Sequence, residues 1–126
     1  YHSNYKIMFS NKNSKQKSEA LKKILDREGI ISMPGCFDAL SAKLIEREGI
    51  EVGFMSGFSV SSTKLGMPDT GLISFAEMLE QVKNISNATS IPFIFDGDTG
   101  YGNSVNVYRT VRDYASAGAA GVMIED

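Results

Sequence analysis

The run Ile91-Pro92-Phe93-Ile94-Phe95-Asp96-Gly97-Asp98 decides the fold. It is apolar, of strand length, and it stops on carboxylates rather than on an ordinary turn. A second run of this kind, Gly121-Val122-Met123-Ile124-Glu125-Asp126, comes later, with a helix-like segment between the two. That order predicts parallel neighbouring strands with their acidic ends on the same side. Asp96 and Asp98, two positions apart, point to one face if the backbone stays extended.

Working outward, helix and strand alternate from Ser18 onward. Leu21, Ile24 and Leu25 give a helical stripe ended by Gly29. Ile30-Ile31-Ser32-Met33 reads as a short strand stopped by Pro34-Gly35. Asp38 caps a helix carrying Leu40, Leu44 and Ile45, which Gly49 closes. Arg-Glu-Gly-Ile occurs at 27–30 and again at 47–50, the same helix-to-strand junction used twice. Val52–Met55 is the next strand, followed by a long loop of small residues from Ser56 to Gly71. Ser74-Phe75-Ala76-Glu77 is a capping box for a helix with Phe75, Met78, Leu79, Val82 and Ile85 on one side. After the strand ending at Asp96, Asn103 or Ser104 caps a helix presenting Val107, Val111, Tyr114 and Ala115, and Gly118 ends it.

Four parallel strands with intervening helices fit a small doubly wound sheet or half of a (β/α)8 barrel. The barrel is preferred, because the acidic and glycine-rich loops all follow strands, where barrels carry their sites. A complete barrel takes roughly 250 residues; this chain has 126. The expected fold is therefore α/β, a (β/α)8 TIM-type barrel truncated to about its first four βα units. It would occupy residues 18–126, after a disordered or processed tail over 1–17.

Composition narrows the function. The chain is 42% hydrophobic with net charge -2, enough for one globular core. Its positive residues form no stripe with aromatic company, so nucleic acid is not an expected partner. No apolar stretch reaches the roughly 18 residues of a membrane span, so no membrane partner is expected. His2 is the sole histidine and Cys36 the sole cysteine. Within these residues, a Ser-His-Asp triad, a histidine zinc site, a disulfide framework and a CxxC motif are excluded. Residues 1–18 hold four lysines and no acid. They also lack the arginine typical of transit peptides. The cytoplasm is the expected compartment, with a mitochondrial or plastid matrix as the alternative.

Asp96, Asp98 and Glu125 at adjacent strand ends repel one another unless a positive charge lies between them. A hard divalent cation supplies it, and Mg²⁺ commonly takes one or two carboxylates plus waters and substrate oxygens. Taken alone, Asp96–Asn103 also reads as an Asp/Gly turn capping the next helix. Its glycines run G-x-x-G-x-G, which is neither the dinucleotide fingerprint nor a Walker A loop. Ser56-Gly57-Phe58-Ser59 reads as a backbone nest for a carboxylate or phosphonate, or as a plain flexible loop. Asp69 sits in a Pro-Asp-Thr-Gly turn. Tyr101 reads as a substrate contact or a packed loop aromatic. Cys36 reads better as a small buried hydrophobe than as a site residue.

Together, Pro34-Gly35 with Asp38–Ala42, Ser56-Gly57 with Leu65–Gly71, Asp96–Asn103, and Ala117–Gly121 running into Ile124-Glu125-Asp126 resemble the isocitrate lyase/phosphoenolpyruvate mutase superfamily. The likeness covers about residues 18–126. It implies a Mg²⁺-dependent barrel, with Mn²⁺ as an alternative ion, acting on 2-oxo or 2-hydroxy carboxylates through a pyruvate-type enolate. By position, the resemblance makes Asp96 a direct Mg²⁺ ligand that also faces substrate, with Asp98 and Glu125 holding metal waters. It makes Ser56, Gly57 and Phe58 the substrate-carboxylate site and Asp69 a catalytic neighbour. The lyase branch carries a Lys-Lys-Cys-Gly-His segment after strand four, which this sequence does not reach and Cys36 does not match. Phe54 stands where some methylisocitrate lyases carry tyrosine.

The expected activity is carbon–carbon bond cleavage of a methylisocitrate- or alkylmalate-like dicarboxylate. The alternatives are phosphoenolpyruvate or phosphonopyruvate mutase-type P–C chemistry, and a non-catalytic half-barrel. The resemblance also implies a homo-oligomer, commonly a tetramer, for the full-length protein.

Overall fold

The computed structural model describes residues 12–125. Helix α1 (Lys12–Leu25) leads into β1 (Gly35–Cys36), α2 (Ala39–Arg47), β2 (Gly53–Met55) and α3 (Gly57–Leu65). Then come α4 (Phe75–Ala88), β3 (Phe93–Asp96), α5 (Ser104–Ser116) and β4 (Gly121–Met123). The strands form one parallel sheet in the order β1-β2-β3-β4. A doubly wound sheet needs a reversal of strand order. This sheet has none and advances one way, as a barrel wall does.

Register sorts the side chains into two faces. Cys36, Met55 and Phe95 are in one row and fully buried beneath the helices. Met78, Val82, Ile85 and Tyr114 complete that core. Burying each such large side chain stabilises the fold by about 1.5–3 kcal/mol. The opposite face carries the row Gly35, Phe54, Ile94 and Gly121, followed one layer on by Asp96 and Met123. Asp96 thus leaves the sheet on the face away from the helices.

Caps fix the helix starts. Asp38, Ser74 and Asn103 each accept from the third residue of their helix in a reciprocal capping box. Each cap contributes about 1 kcal/mol.

Several expectations need correction. Helix α1 begins at Lys12, so residues 12–17 are not a tail; residues 1–11 and Asp126 lie outside the described residues. Its polar start is held by side-chain bonds to backbone. Ser14 Oγ donates to Ala119 O and Ser18 Oγ to Ala120 O. Lys17 Nζ donates to Ser86 O at 2.9 Å and Thr89 O at 3.2 Å. Leu21 packs with Val52 and Ala120, which places α1 across the end of the sheet where strands begin. Residues 30–33 are not a strand; pairing starts when Phe54 N donates to Pro34 O. Of the residues expected on the inward face of α2, Ile45 packs there, beside Ala42, whereas Leu40 and Leu44 are exposed. The expected Ser56–Gly71 loop is in fact half helix, closed by Gly66 at φ 64°. β4 stops at Met123, short of the acidic residues. Among the described residues no helix is long and apolar enough to cross a membrane.

Candidate active site

The chain leaves β3 at Asp96 and turns sharply. Asp96 Oδ1 accepts from Asp98 N and Oδ2 from Gly57 N, both at 2.9 Å. Its carbonyl accepts from the Tyr114 hydroxyl at 3.1 Å. Gly97 N donates to Met123 O and Glu125 N donates to Asp98 O, both at 2.8 Å. These two bonds extend the β3–β4 pairing past the strands and bring Glu125 alongside Asp98.

The turn is conformationally costly. Asp98 has φ 51° and Tyr101 φ 62°. Such left-handed backbone costs an L-residue roughly 1–2 kcal/mol, less for Asp. Thr110 Oγ1 donating to Gly100 O at 2.8 Å and Gly100 N donating to Gly97 O help hold it. Strain of this sort persists where surrounding structure over-determines it, often at functional sites.

Asp69, Asp96, Asp98 and Glu125 line one open cleft, with Gly57, Ile73, Met78 and Tyr101. Asp69 arrives from the turn after α3, where Thr70 N and Ser61 Oγ both donate to Pro68 O. Among the described residues no lysine or arginine lines the cleft. Asp69, Asp96, Asp98 and Glu125 are in none of the ion pairs among the described residues.

Of the residues expected to hold a substrate carboxylate, Gly57 reaches the cleft but already donates to Asp96. Ser56 is the N-cap of α3, its Oγ accepting from Ser59 N at 3.4 Å, and Phe58 is exposed; neither lines the cleft. The carboxylates share a space without closing into a cage. Among the described residues, no three His, Cys, Asp or Glu side chains are grouped tightly enough to hold a metal by themselves. Asp96 is turned toward backbone donors, and that spreads the set. A loose, all-oxygen set with no cationic neighbour nonetheless fits Mg²⁺, which keeps several waters and needs few protein ligands. Each Asp96 oxygen retains a free lone pair for that purpose.

Two tyrosines stand behind the acids. Burial pushes the Tyr114 phenol well above its usual range. Burial pushes Tyr101 up to about 12; the neighbouring Tyr114 hydroxyl works the other way, and the charges of Asp98, Asp96 and Asp69 add to the rise. Cys36 is buried and its thiol is pushed up to about 12, first by desolvation and then by Asp38. It is packing, not a nucleophile. Tyr101, read from sequence as a substrate contact or a packed loop aromatic, lines the cleft; Ile73 and Met78 were not singled out as site residues.

The profile of the phosphoenolpyruvate phosphomutase family matches residues 21–126. The chain belongs to this family. It is 45% identical over 105 residues to carboxyvinyl-carboxyphosphonate phosphorylmutase, chloroplastic, of Arabidopsis thaliana, covering 82% of this chain and 31% of that protein. It is 42% identical over 106 residues to 2,3-dimethylmalate lyase of Eubacterium barkeri, covering 84% and 37%. Among solved structures, phosphonopyruvate hydrolase complexed with oxalate and Mg²⁺ aligns with TM-score 0.82 at 37% identity, covering 87% of this chain and 38% of that one. The chain spans about a third of the length of the curated relatives it matches. Its four strands and their helices form part of the family's (β/α)8 barrel, from the N-terminal side.

Proposed function

We propose that this chain supplies the metal- and carboxylate-binding wall of a Mg²⁺-dependent lyase. The enzyme would cleave a carbon–carbon bond in a 2-hydroxy or 2-oxo dicarboxylate of alkylmalate type. The observation that carries this reading is the cleft itself, where four carboxylates meet with no cationic side chain among them. Likeness to a dimethylmalate lyase and to a hydrolase bound to oxalate and Mg²⁺ supports it.

In this reading Asp96 is the direct metal ligand, and Asp98 and Glu125 orient metal-bound waters. The β3–β4 bonds hold Asp98 and Glu125 at a fixed separation. Although Ser56 and Phe58 stand outside the cleft lining, the N-terminus of α3 they belong to adjoins it at Gly57, and helix N-termini favour anions, so the substrate carboxylate is assigned to this end. Asp69, from the turn after α3, serves as a proton-handling neighbour. Ile73 and Met78 form the apolar side that excludes water. Bound here, Mg²⁺ supplies Lewis-acid stabilisation of the negative charge that grows as the bond breaks.

A second reading, phosphorus–carbon bond chemistry, is favoured by the 45% identity to a phosphorylmutase. The same wall serves both, since each chemistry needs an anionic three-carbon acid held on a cation. Mn²⁺ as the ion, a homotetrameric assembly, and a cytoplasmic site rather than a mitochondrial or plastid matrix belong to this proposal.

The test is Asp96→Ala in the intact protein, assayed against 2-alkylmalates, oxaloacetate and phosphonopyruvate with and without Mg²⁺. Loss of all Mg²⁺-dependent turnover is expected. Undiminished activity rejects the assignment, and the substrate turned over by wild type separates the two chemistries.

A further inference from the structure

We propose that the Tyr101 hydroxyl is a substrate-binding donor, giving its hydrogen bond to an oxyacid oxygen seated in the acidic cleft. This rests on the cleft being the carboxylate site argued above.

The Tyr101 hydroxyl oxygen is buried and has no hydrogen-bond partner. Buried polar groups are nearly always paired, so an orphan needs a reason. Nearby, the Tyr114 hydroxyl donates to Asp96 O, and each Asp96 carboxylate oxygen accepts one backbone N–H group, yet none of these oxygens accepts from Tyr101 within hydrogen-bond geometry. Ser86 Oγ is the other orphan. It lies against Gly118, where an added Cβ would come within 2.8 Å of the Ser86 Cβ, and it is absent from the cleft wall. Tight packing accounts for that serine. Tyr101, by contrast, lines the cleft.

The position is also built rather than incidental. A bulky residue is held at φ 62° between two glycines, although this backbone suits glycine better. The ring is clamped by Phe75 at 5.7 Å between centroids. Phe75 in turn stacks on Tyr114 at 6.1 Å and carries the Arg109 guanidinium 5.3 Å above its centre. The aromatic stack holds the ring in one place beside the carboxylate-lined cleft. With its proton held firmly at neutral pH, the phenol can donate but cannot add a further negative charge. An oxyacid oxygen on the cation supplies the missing acceptor, and hydrogen bonds to charged groups are the stronger kind.

The experiment compares intact wild-type protein with Tyr101→Phe, which keeps the ring and its contacts. Calorimetric titration measures Mg²⁺ alone, then oxalate in saturating Mg²⁺. Oxalate affinity should fall about tenfold, the loss of one charge-assisted bond. Mg²⁺ affinity should stay the same. Apo thermal stability should hold or rise, because the removed hydroxyl had no partner. Oxalate should also produce a tyrosine difference band in wild type that Y101F lacks. Equal oxalate affinity in the two proteins, or an apo Y101F clearly less stable than wild type, overturns the inference alone. A wild-type protein that takes up no oxalate with Mg²⁺ overturns the site reading, and this inference with it.

Discussion

The Gly57 amide donates to Oδ2 of Asp96 at 2.9 Å, tying the first turn of α3 to the end of β3. The contact leaves no room at position 57. A Cβ there would lie 2.7 Å from that oxygen and 3.2 Å from Asp96 Cγ. A glycine in a helix ordinarily weakens it, so here the demand of the neighbouring carboxylate overrides propensity.

Gly57→Ala should therefore push the Asp96 carboxylate off its present position. Overpacking of this kind costs roughly 1–3 kcal/mol, readable as a lowered denaturant midpoint. Mg²⁺ affinity should fall at least about tenfold, the equivalent of ~1.4 kcal/mol. An alanine variant with unchanged midpoint and unchanged Mg²⁺ titration would contradict the geometry.

Asp98→Asn separates charge from backbone. Asn tolerates left-handed φ about as well as Asp, and the Asp98 N–H and C=O bonds to Asp96 and Glu125 use only main-chain atoms of residue 98. Stability should stay within about 0.5 kcal/mol, while Mg²⁺-dependent turnover drops sharply. A matched loss of melting temperature would instead mark Asp98 as structural.

Lys17 gives a pH signature at the far end of the sheet. Desolvation lowers its pKa from the usual 10.5, with Glu46 pulling weakly the other way. The unfolded chain thus binds the proton more tightly than the folded one. Stability gains from this group as pH rises through the window between the lowered value and 10.5. Denaturant midpoints of wild type and Lys17→Met, followed from neutral to alkaline pH, should diverge in favour of wild type. Lys17→Met should already be weaker at neutral pH, because Ser86 O and Thr89 O lose their donor.

Cys36 should be inert in the folded protein. With the thiol pushed up to about 12 and no exposed surface, it offers neither thiolate nor access. A disulfide reagent at mildly alkaline pH should label it only after denaturant is added. Rapid labelling of native protein would show that β1 opens far more readily than its burial implies.

Most of the frame was legible in the chain because its signals are local. The caps at Asp38, Ser74 and Asn103 and the glycine stops at Gly49 and Gly118 stand where side-chain chemistry places them. What escaped depends on partners distant in sequence. Helix α3 is Gly-Phe-Ser-Val-Ser-Ser-Thr-Lys-Leu, poor in helix formers, and forms with Ser56 and Gly66 as caps and Val60 buried. The start of α1 has no apolar stripe and relies on bonds to carbonyls some hundred residues away. Ile30–Met33 has a strand's composition but no neighbour to pair with. At the site, the gathering of Asp69, Asp96, Asp98 and Glu125 around one cleft was anticipated as chemistry. The claim of Gly57 on Asp96 was not, since it leaves no trace in residue order, and for Tyr101 the sequence left a substrate contact and a packed aromatic both open.

The bonds Gly97 N to Met123 O and Glu125 N to Asp98 O make two loops into a single mechanical part. A tilt of β4 drags Asp98 with it, and a hinge at Asp98 carries Glu125 along. An oxyacid seated at this edge, as proposed, would meet the β3–β4 ends as one body rather than as two independent loops.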